Sequence, residues 1–224
     1  VDDFSDEFED GTLDTTKWNN NPNWMGPASW DFEPENIAFR DGKLILTGKH
    51  RRSSGGIGSK KMTQFGYFEA KIKAAEACGF NTAFWLNEDE CKEIDIVETS
   101  PGATKHDGNI IFQSLHTGGK RRRDKRGHGC GMISNKWLAD FEAESEFHVY
   151  SVLWQEGSIV WYVDGRETFR RETGSSFSIP LDVRISMGMH FGWHGEPRDS
   201  EVPSSMEVEY VRTWQVERDD HPPR

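Results

Sequence analysis

The 224-residue sequence lacks long hydrophobic runs. No stretch approaches the roughly 20 apolar residues that a membrane-spanning helix needs, so no such helix and no membrane partner is predicted. Strong helix formers never gather into a long amphipathic run, whereas glycine is abundant at 22 residues, and the 9 tryptophans and 14 phenylalanines exceed what a disordered chain carries. These features indicate one turn-rich β domain over residues 1–216, followed by a charged tail over residues 217–224 that we expect to fray.

Positive charge and cysteine are scarce as well. The chain has 27 basic against 38 acidic side chains, a net charge of −11. This balance argues against nucleic acid as a partner, because phosphate contacts need Lys and Arg.

The odd count of three cysteines excludes a full disulfide framework. A single Cys78–Cys91 bridge and three free thiols (with Cys130) both remain open, and no cysteine spacing indicates zinc.

Alternation of apolar and polar residues predicts β-strands along most of the chain. Asp-Gly pairs at 41–42 and 164–165 mark two hairpin turns. No helical periodicity separates the strands, which favours an all-β, two-sheet β-jelly-roll sandwich. The predicted strands lie in the hairpin Asn36–Thr47 and in Phe65–Ala74, Phe147–Leu153, Ser158–Val163, Val183–Met189 and Met206–Trp214.

Residues 93–98 (Glu-Ile-Asp-Ile-Val-Glu) form the segment with the most chemistry. In a regular strand Glu93 and Asp95 share one face, and Glu98 points into the core. An unpaired carboxylate in the core would be very costly. A β-bulge at Ile96–Val97 adds one residue and returns Glu98 to the face of the other two acids. We therefore predict three carboxylates in a row, lining a concave substrate cleft.

Three like charges so arranged raise the pKa of at least one of them. One protonated and one ionised carboxyl on a single face is the pair that glycoside hydrolysis requires. Inward-leaning side chains would bring the carboxyls of Glu93 and Glu98 to the retaining separation of about 5–5.5 Å. A solvated acidic strand face and a calcium site are the alternatives.

Tryptophans provide flat apolar surfaces on which sugar rings stack. Those inside regular strands are assigned to the core: Trp154, Trp161 and Trp214. Those in segments rich in Gly, Asn and Pro are candidates for substrate binding: Trp24, Trp30 and Trp193. Trp85 joins these candidates because it lies in the predicted partner strand just before the acidic one.

The acidic segment resembles the Glu-x-Asp-x-x-Glu signature of glycoside hydrolase family 16, a group of β-jelly-roll endo-glycanases. Further segments match the family in the same order along the chain: Asp6–Gly11, Trp18, Ser59-Lys60, Phe65–Ala74, Trp161–Gly165 and Glu207–Arg212. The resemblance implies a retaining, endo-acting hydrolase of β-linked polysaccharides. We accordingly expect a monomer that is secreted, periplasmic or on the outer surface, although the sequence starting at Val1 contains no signal peptide.

The resemblance also assigns roles to individual residues. Glu93 matches the nucleophile, Glu98 the acid/base, and Asp95 the assisting carboxylate between them. His116 matches a histidine near the acid/base, and Trp85 an aromatic close to the cleaved bond. No cofactor is expected for catalysis.

A structural calcium ion on the convex side is a further implication of the resemblance. Gly42 and Glu209 match positions that bind this ion, and a main-chain carbonyl near Glu7 would complete the site, since calcium prefers oxygen ligands. The family often has Asp where this chain has Glu209.

Two segments favour an algal galactan (agar, porphyran or carrageenan) as the substrate. The lead-in Asn87–Lys92 departs from the Pro-rich, Trp-containing stretch usual in laminarinase-like members. The segment Lys120–Arg126 contains six basic residues and one acid, a net charge of +5, in a loop expected at the rim of the cleft. Its arginines Arg121, Arg122 and Arg123 are candidates for sulfate binding, because guanidinium forks match sulfate oxygens. A solvated loop is the alternative for this segment, and an endo-β-1,3-glucanase or a noncatalytic sugar-binding sandwich are the alternative functions.

Overall fold

The computed structural model describes residues 5–20, 32–49, 53–89, 92–100, 109–117 and 131–215. These residues form two antiparallel seven-stranded sheets. The strands are β1 (Trp18–Asn19), β2 (Ile37–Arg40), β3 (Lys43–Gly48), β4 (Gly56–Ser59), β5 (Gly66–Lys73), β6 (Phe80–Asp89), β7 (Lys92–Thr99), β8 (Ile110–His116), β9 (Met132–Leu138), β10 (His148–Gln155), β11 (Gly157–Val163), β12 (Arg166–Gly174), β13 (Asp182–Met189) and β14 (Ser204–Trp214).

We call the two layers the front sheet and the back sheet. The front sheet has the strand order β1-β4-β13-β6-β7-β8-β9, and the back sheet has the order β12-β11-β10-β5-β14-β3-β2. The short helix α1 (Phe191–His194) and three 3₁₀ turns (Pro34–Asn36, Ser175–Phe177 and Asp199–Glu201) complete the described elements. None of the described helices is long and apolar enough to cross a membrane. The all-β sandwich predicted from the alternation pattern is confirmed.

Both predicted Asp-Gly turns close tight hairpins. Asp41 and Gly42 have φ angles of 52° and 69°, and Asp164 and Gly165 have φ angles of 48° and 75°. Two consecutive left-handed residues are what a two-residue turn needs to match the twist of its strands, and Asp-Gly adopts this conformation readily. The turns therefore fix the register of β2 with β3 and of β11 with β12.

The core between the sheets is built from the alternate, inward-facing residues of each strand. In β5, Phe68, Ala70 and Ile72 are buried, and the residues between them face outward. Trp154 and Trp161 are fully buried in the back sheet, as predicted.

The burial predicted for Trp214 is wrong, because this side chain is 42% exposed. The register of β14 with β5 shifts by one residue between Val208 and Tyr210. This shift inverts the alternation, so that Val211 and Thr213 face the core and Trp214 lies outside, 5.6 Å from the ring of Tyr67.

Cys78 is a free thiol, and its S–H donates to the carbonyl of Glu196 at 3.1 Å. Cys91 and Cys130 lie outside the described residues.

Gly48 provides a test of packing between the two sheets. A Cβ atom at this position would overlap the ring of Phe80 and lie 2.7 Å from Met187 Cε. We expect Gly48→Ala to lower the free energy of unfolding by about 1–3 kcal/mol, the usual cost of overpacking a core. Urea unfolding monitored by tryptophan fluorescence measures the effect. The double variant Gly48→Ala/Phe80→Leu should recover part of the loss, and an unchanged stability of Gly48→Ala would contradict the packing.

Candidate active site

The acidic strand β7 lies between β6 and β8 and has one residue more than its neighbours. On the β8 side, Asp95 pairs with Ser114, but Glu98 pairs with Phe112. Three residue steps on β7 therefore match two steps on β8. The extra residue defines a β-bulge at Ile96–Val97, as predicted from the sequence.

The β6 side shows the same insertion, because Trp85 pairs with Asp95 whereas Phe84 pairs with Val97. Ile96 and Val97 are both fully buried. With two consecutive residues pointing inward, Glu98 returns to the outer face of the front sheet, where Asp95 also lies.

A histidine from β8 joins the first two carboxylates. His116 pairs with Glu93 in the sheet, and its Nε2 lies 3.2 Å from Glu93 Oε1 and 3.2 Å from Asp95 Oδ2. The side chain of Asp95 is 5% exposed and that of Glu93 18%. The two carboxylates therefore share one imidazole partner but differ in access to solvent.

Two asparagines from β6 hold the outer carboxylates of the row. Asn87 Nδ2 donates to Glu93 Oε2 at 2.5 Å, and Asn81 Nδ2 donates to Glu98 Oε1 at 2.7 Å. Each glutamate thus has one oxygen fixed by an amide.

Burial is the largest influence on all three acids. Burial and the charge of Asp95 together raise the pKa of Glu93 to about 8 against the opposing effects of His116 and Asn87. Burial and the charge of Glu93 raise the pKa of Glu98 to about 7 against the opposing effects of the Asn81 hydrogen bond and His116. Burial and the charge of Glu98 also raise the pKa of Asp95. The row therefore retains protons at neutral pH, the condition that a general acid requires.

Trp85 lies on the same outer face, opposite Asp95. Its Nε1–H donates to Ser186 Oγ at 3.2 Å, and the guanidinium of Arg184 lies 4.7 Å from its ring centroid. Arg184 is itself buried and pairs through two bonds with Asp182, at 2.5 and 2.9 Å. Glu98 pairs with Ala83 in the sheet, so Trp85 lies beside Asp95 and two residues along β6 from the partner of Glu98.

Trp193 lies over the far end of the row. Its ring packs edge-on against Phe112, the sheet partner of Glu98, at 4.8 Å. It also stacks on His194 at 4.0 Å. Lys136 from β9 lies 5.4 Å from the Phe112 centroid, which adds a cation to this end of the face.

The remaining predicted substrate-binding residues lie outside the described residues: Trp24, Trp30, Arg121, Arg122 and Arg123. Their roles stay predictions.

Both glutamates near the expected calcium site form ion pairs within the protein. Arg212 donates to both carboxylate oxygens of Glu7, at 2.8 and 2.9 Å, and lowers the pKa of that acid. Lys71 Nζ lies 2.7 Å from Glu209 Oε2. Calcium takes 6–8 oxygen ligands, and the carboxylate of Glu209, the one side chain expected among them, is already paired with Lys71. The parts expected of Gly42 and of a main-chain carbonyl near Glu7 stay predictions.

Among the described residues, one group of His, Cys, Asp and Glu donors is close enough to hold a metal ion. It consists of Glu93, Asp95 and His116, whose ligand atoms lie within 4.8 Å of one another. These residues are the same ones that form the carboxylate cluster.

Sequence reasoning missed Asn81, Asn87 and Arg184. The two asparagines could have been predicted from the sequence. They lie an even number of residues from Trp85 in β6, so all three side chains are on the same face of the sheet as the acids of β7. Arg184 lies in a predicted strand, but its position against Trp85 depends on the pairing of β13 with β6, which the sequence does not specify.

The raised pKa of Glu98 makes a prediction about stability. The folded state holds the proton of the Glu98 carboxyl more tightly than the unfolded state does. The contribution of this proton to the free energy of unfolding is therefore complete below about pH 4.5 and is lost as pH rises through about 7. The loss is about 3 kcal/mol for one group. We expect Glu98→Gln, which cannot ionise, to melt several degrees higher than the unaltered protein at pH 8 and to show less gain at pH 5. The exposed Glu172→Gln is the control, and an equal effect of both substitutions at pH 8 would contradict the assignment.

Comparison with known proteins places this geometry in a family. The family described as the GH16 domain of β-porphyranases A–D matches residues 1–216. The κ-carrageenase of Pseudoalteromonas carrageenovora is 29% identical over 254 residues, covering 94% of this chain and 63% of the carrageenase. β-Porphyranase B of Zobellia galactanivorans is 26% identical over 248 residues, covering 96% of this chain and 84% of the porphyranase.

Solved structures share the same fold. The crystal structure of the Zobellia porphyranase B has a TM-score of 0.77 at 24% identity and covers 95% of this chain and 90% of its own. The laminarinase catalytic domain of Thermotoga maritima has a TM-score of 0.77 at 20% identity and covers 96% and 97%. The family match extends over nearly the whole chain, through the bulged strand with its three carboxylates. The chain belongs to glycoside hydrolase family 16, in the group that the β-porphyranase A–D domain defines.

Proposed function

We propose that the chain is a retaining, endo-acting glycoside hydrolase that cleaves β-linkages in an algal galactan. The observation that carries the proposal is the bulged strand β7, which brings Glu93, Asp95 and Glu98 to one face with raised pKa values. Two carboxyl groups of different protonation, one on each side of a third, provide the acid and the nucleophile of this reaction class.

In the first step Glu98 is the general acid. Its proton passes to the glycosidic oxygen as the bond from that oxygen to the anomeric carbon breaks. A carboxylate oxygen of Glu93 forms a bond to the anomeric carbon, giving a covalent glycosyl-enzyme and releasing the leaving sugar as an alcohol. The Asn81 bond to Glu98 Oε1 leaves the other carboxyl oxygen for this transfer.

In the second step Glu98 is the general base. Once Glu93 is esterified it has no charge, and the contribution of that charge to the raised pKa of Glu98 disappears. The pKa of Glu98 therefore falls when the group must accept a proton from water. Attack of that water on the anomeric carbon breaks the ester, restores the Glu93 carboxylate and retains the anomeric configuration.

Asp95 and His116 set the charge of the nucleophile. Burial raises the pKa of both Glu93 and Asp95, so the two acids share one proton near neutral pH. The nucleophile is the form of the pair in which that proton is on Asp95, the more deeply buried of the two. His116 Nε2, 3.2 Å from both, favours a single negative charge on the pair.

The galactan assignment is supported by a cation on the outer face of the front sheet. Arg184 on β13 and Lys136 on β9 each lie two strands from β7, about 10 Å to either side. Of the two, Lys136 is exposed and suits a polymer that has sulfate groups, whereas Arg184 is buried and already paired with Asp182. The matched porphyranase and carrageenase are named for such polymers, although the carrageenase is considerably longer than this chain.

The mechanism predicts separate effects for the two glutamates. Glu93→Ser and Glu98→Gln should each lower kcat by several orders of magnitude while the far-UV circular dichroism spectrum stays unchanged. Only Glu98→Gln should lose the basic limb of the pH profile, which reports the group of pKa about 7. Proton NMR of the first-formed product should show the configuration of the substrate, and an inverted product would refute the mechanism.

The basic segment provides the test of substrate class. We expect Arg121→Ala/Arg122→Ala/Arg123→Ala to raise KM on porphyran and κ-carrageenan on the order of tenfold, because each exposed Arg–sulfate contact contributes about 0.5–1 kcal/mol. The effect should shrink as salt rises, since exposed charges are screened within about 10 Å at 0.1 M. Reducing-end assays across a salt series measure KM.

The matched control is Arg166→Ala/Arg170→Ala/Arg171→Ala, which removes three exposed arginines from β12, the outermost strand of the back sheet. It should leave KM unchanged on every polymer, and desulfated polymers should respond to neither variant. Equal KM values for the unaltered protein and the first variant on all sulfated polymers would reduce the segment to a solvated loop. Preferential cleavage of laminarin would favour an endo-β-1,3-glucanase.

A further inference from the structure

We propose that Trp161, on the back sheet, is a positioning residue for the catalytic bulge. The inference rests on the proposed hydrolase function. Trp161 lies on β11 and is fully buried. Its indole Nε1–H donates to the main-chain carbonyl of Asp95 at 2.8 Å. One hydrogen bond therefore joins the core of the sandwich to the middle residue of the carboxylate row.

The position of this carbonyl follows from the bulge. In a regular antiparallel strand the carbonyl groups lie in the plane of the sheet and bond to the neighbouring strands. Between Asp95 and Glu98 the ladder with β8 is interrupted, and the Asp95 carbonyl is bonded from the opposite sheet instead. Without the indole donor, this buried acceptor would lose its partner and bear the cost of desolvation.

The environment of Trp161 keeps the donor in place. Its ring packs on Phe169 at a centroid distance of 4.8 Å. Thr168 Oγ1 lies 3.3 Å from the Trp161 carbonyl and 2.9 Å from Gln113 Oε1. Gln113 is the buried β8 residue between Phe112 and Ser114, opposite the bulge. The same hydroxyl therefore contacts both the main chain of Trp161 and the strand that faces the extra residue.

The consequence for catalysis is geometric. A fixed Asp95 carbonyl fixes the orientation of the peptide group between Asp95 and Ile96. The relative positions of the Glu93 and Glu98 side chains, on either side of this peptide, are then fixed as well. Loss of the bond lets the extra residue relax, which changes the separation of the acid and the nucleophile. Displacements of about 1 Å cost on the order of 100-fold in rate.

Trp154 provides a matched control. It is also a fully buried tryptophan of the back sheet, and its Nε1–H donates to the main-chain carbonyl of Phe177 at 3.0 Å. Phe177 belongs to a 3₁₀ turn and not to the acidic strand. Substitution by phenylalanine therefore removes the same donor and the same volume at both positions, but only one of them contacts the bulge.

The experiment compares Trp161→Phe with Trp154→Phe on the polymer that the unaltered protein cleaves. Both variants should lower Tm to a similar extent. Trp161→Phe alone should lower kcat by about 10- to 100-fold with KM within about twofold, because the change affects the reacting groups rather than binding. It should also move the basic limb of the pH profile by about half a unit or more, whereas Trp154→Phe should leave the limb in place.

Several outcomes overturn the proposal. If kcat falls equally in both variants, Trp161 has only a general packing role. If kcat is unaltered in Trp161→Phe, Trp161 has no role in positioning. If Trp161→Phe fails to fold, 3-benzothienylalanine at position 161 replaces the N–H by sulfur within the same shape, and an unaltered kcat there overturns the inference.

Failure of the proposed function itself would look different. An unaltered protein that cleaves no polysaccharide refutes the hydrolase assignment. The positioning role is then decided by carboxyl NMR titration of Glu98. A pKa that is the same in Trp161→Phe and the unaltered protein overturns it, and one that moves only in this variant supports it.

Discussion

One extra residue in β7 is the constraint on which the site depends. Without the bulge at Ile96–Val97, strict alternation would place Glu98 between the sheets, next to a core of aliphatic and aromatic side chains. With it, two consecutive apolar residues point inward and three acids share the outer face. The bulge stabilises the fold because it keeps a carboxylate out of the core. The same displacement creates the arrangement of acids that chemistry requires.

The arrangement costs stability. Three carboxyls in partial burial retain protons that they would release in the unfolded chain, so folding becomes less favourable as pH rises toward 8. Amides from β6 and an imidazole from β8 offset part of this cost by bonding the acids from both neighbouring strands. The partners of the acids therefore lie on the two strands that bracket β7, where sheet register alone determines which side chains meet.

The fold and the centre of the site were predictable from the sequence because both follow from alternation. Asp-Gly pairs fixed two hairpins, and the position of Glu98 in the pattern of β7 required a bulge. Prediction failed at a similar irregularity in β14, although strict alternation from Met206 would also have placed Arg212 in the core: the register shift at 208–210 turned Trp214 outward. The outermost strands β9 and β12 were missed because they are largely exposed and neither shows the alternation of apolar and polar residues that marks a strand.

Contacts between distant segments were beyond sequence reasoning for a different reason. The indole of Trp161 meets the Asp95 carbonyl only because the two sheets pack face to face, and Arg184 meets Trp85 only because β13 pairs with β6. Each of these residues lies in a strand that alternation predicted or suggested. The alternation of apolar and polar residues does not specify the order of strands within a sheet. This order decides which side chains face one another.

The protonation of the acids also bears on the proposed substrate, a sulfated galactan. Three ionised carboxylates on one face would repel such a polymer before any cation could bind it. With Glu98 protonated below about pH 7 and one proton shared by Glu93 and Asp95, the row has little more than one negative charge, and His116 lies against it. Lys136, two strands from the acids on β9, lies exposed on the same face, whereas the charge of the buried Arg184 is paired with that of Asp182. On the proposed mechanism, the burial that keeps Glu98 protonated as the acid thus also lowers the repulsion of an anionic polysaccharide.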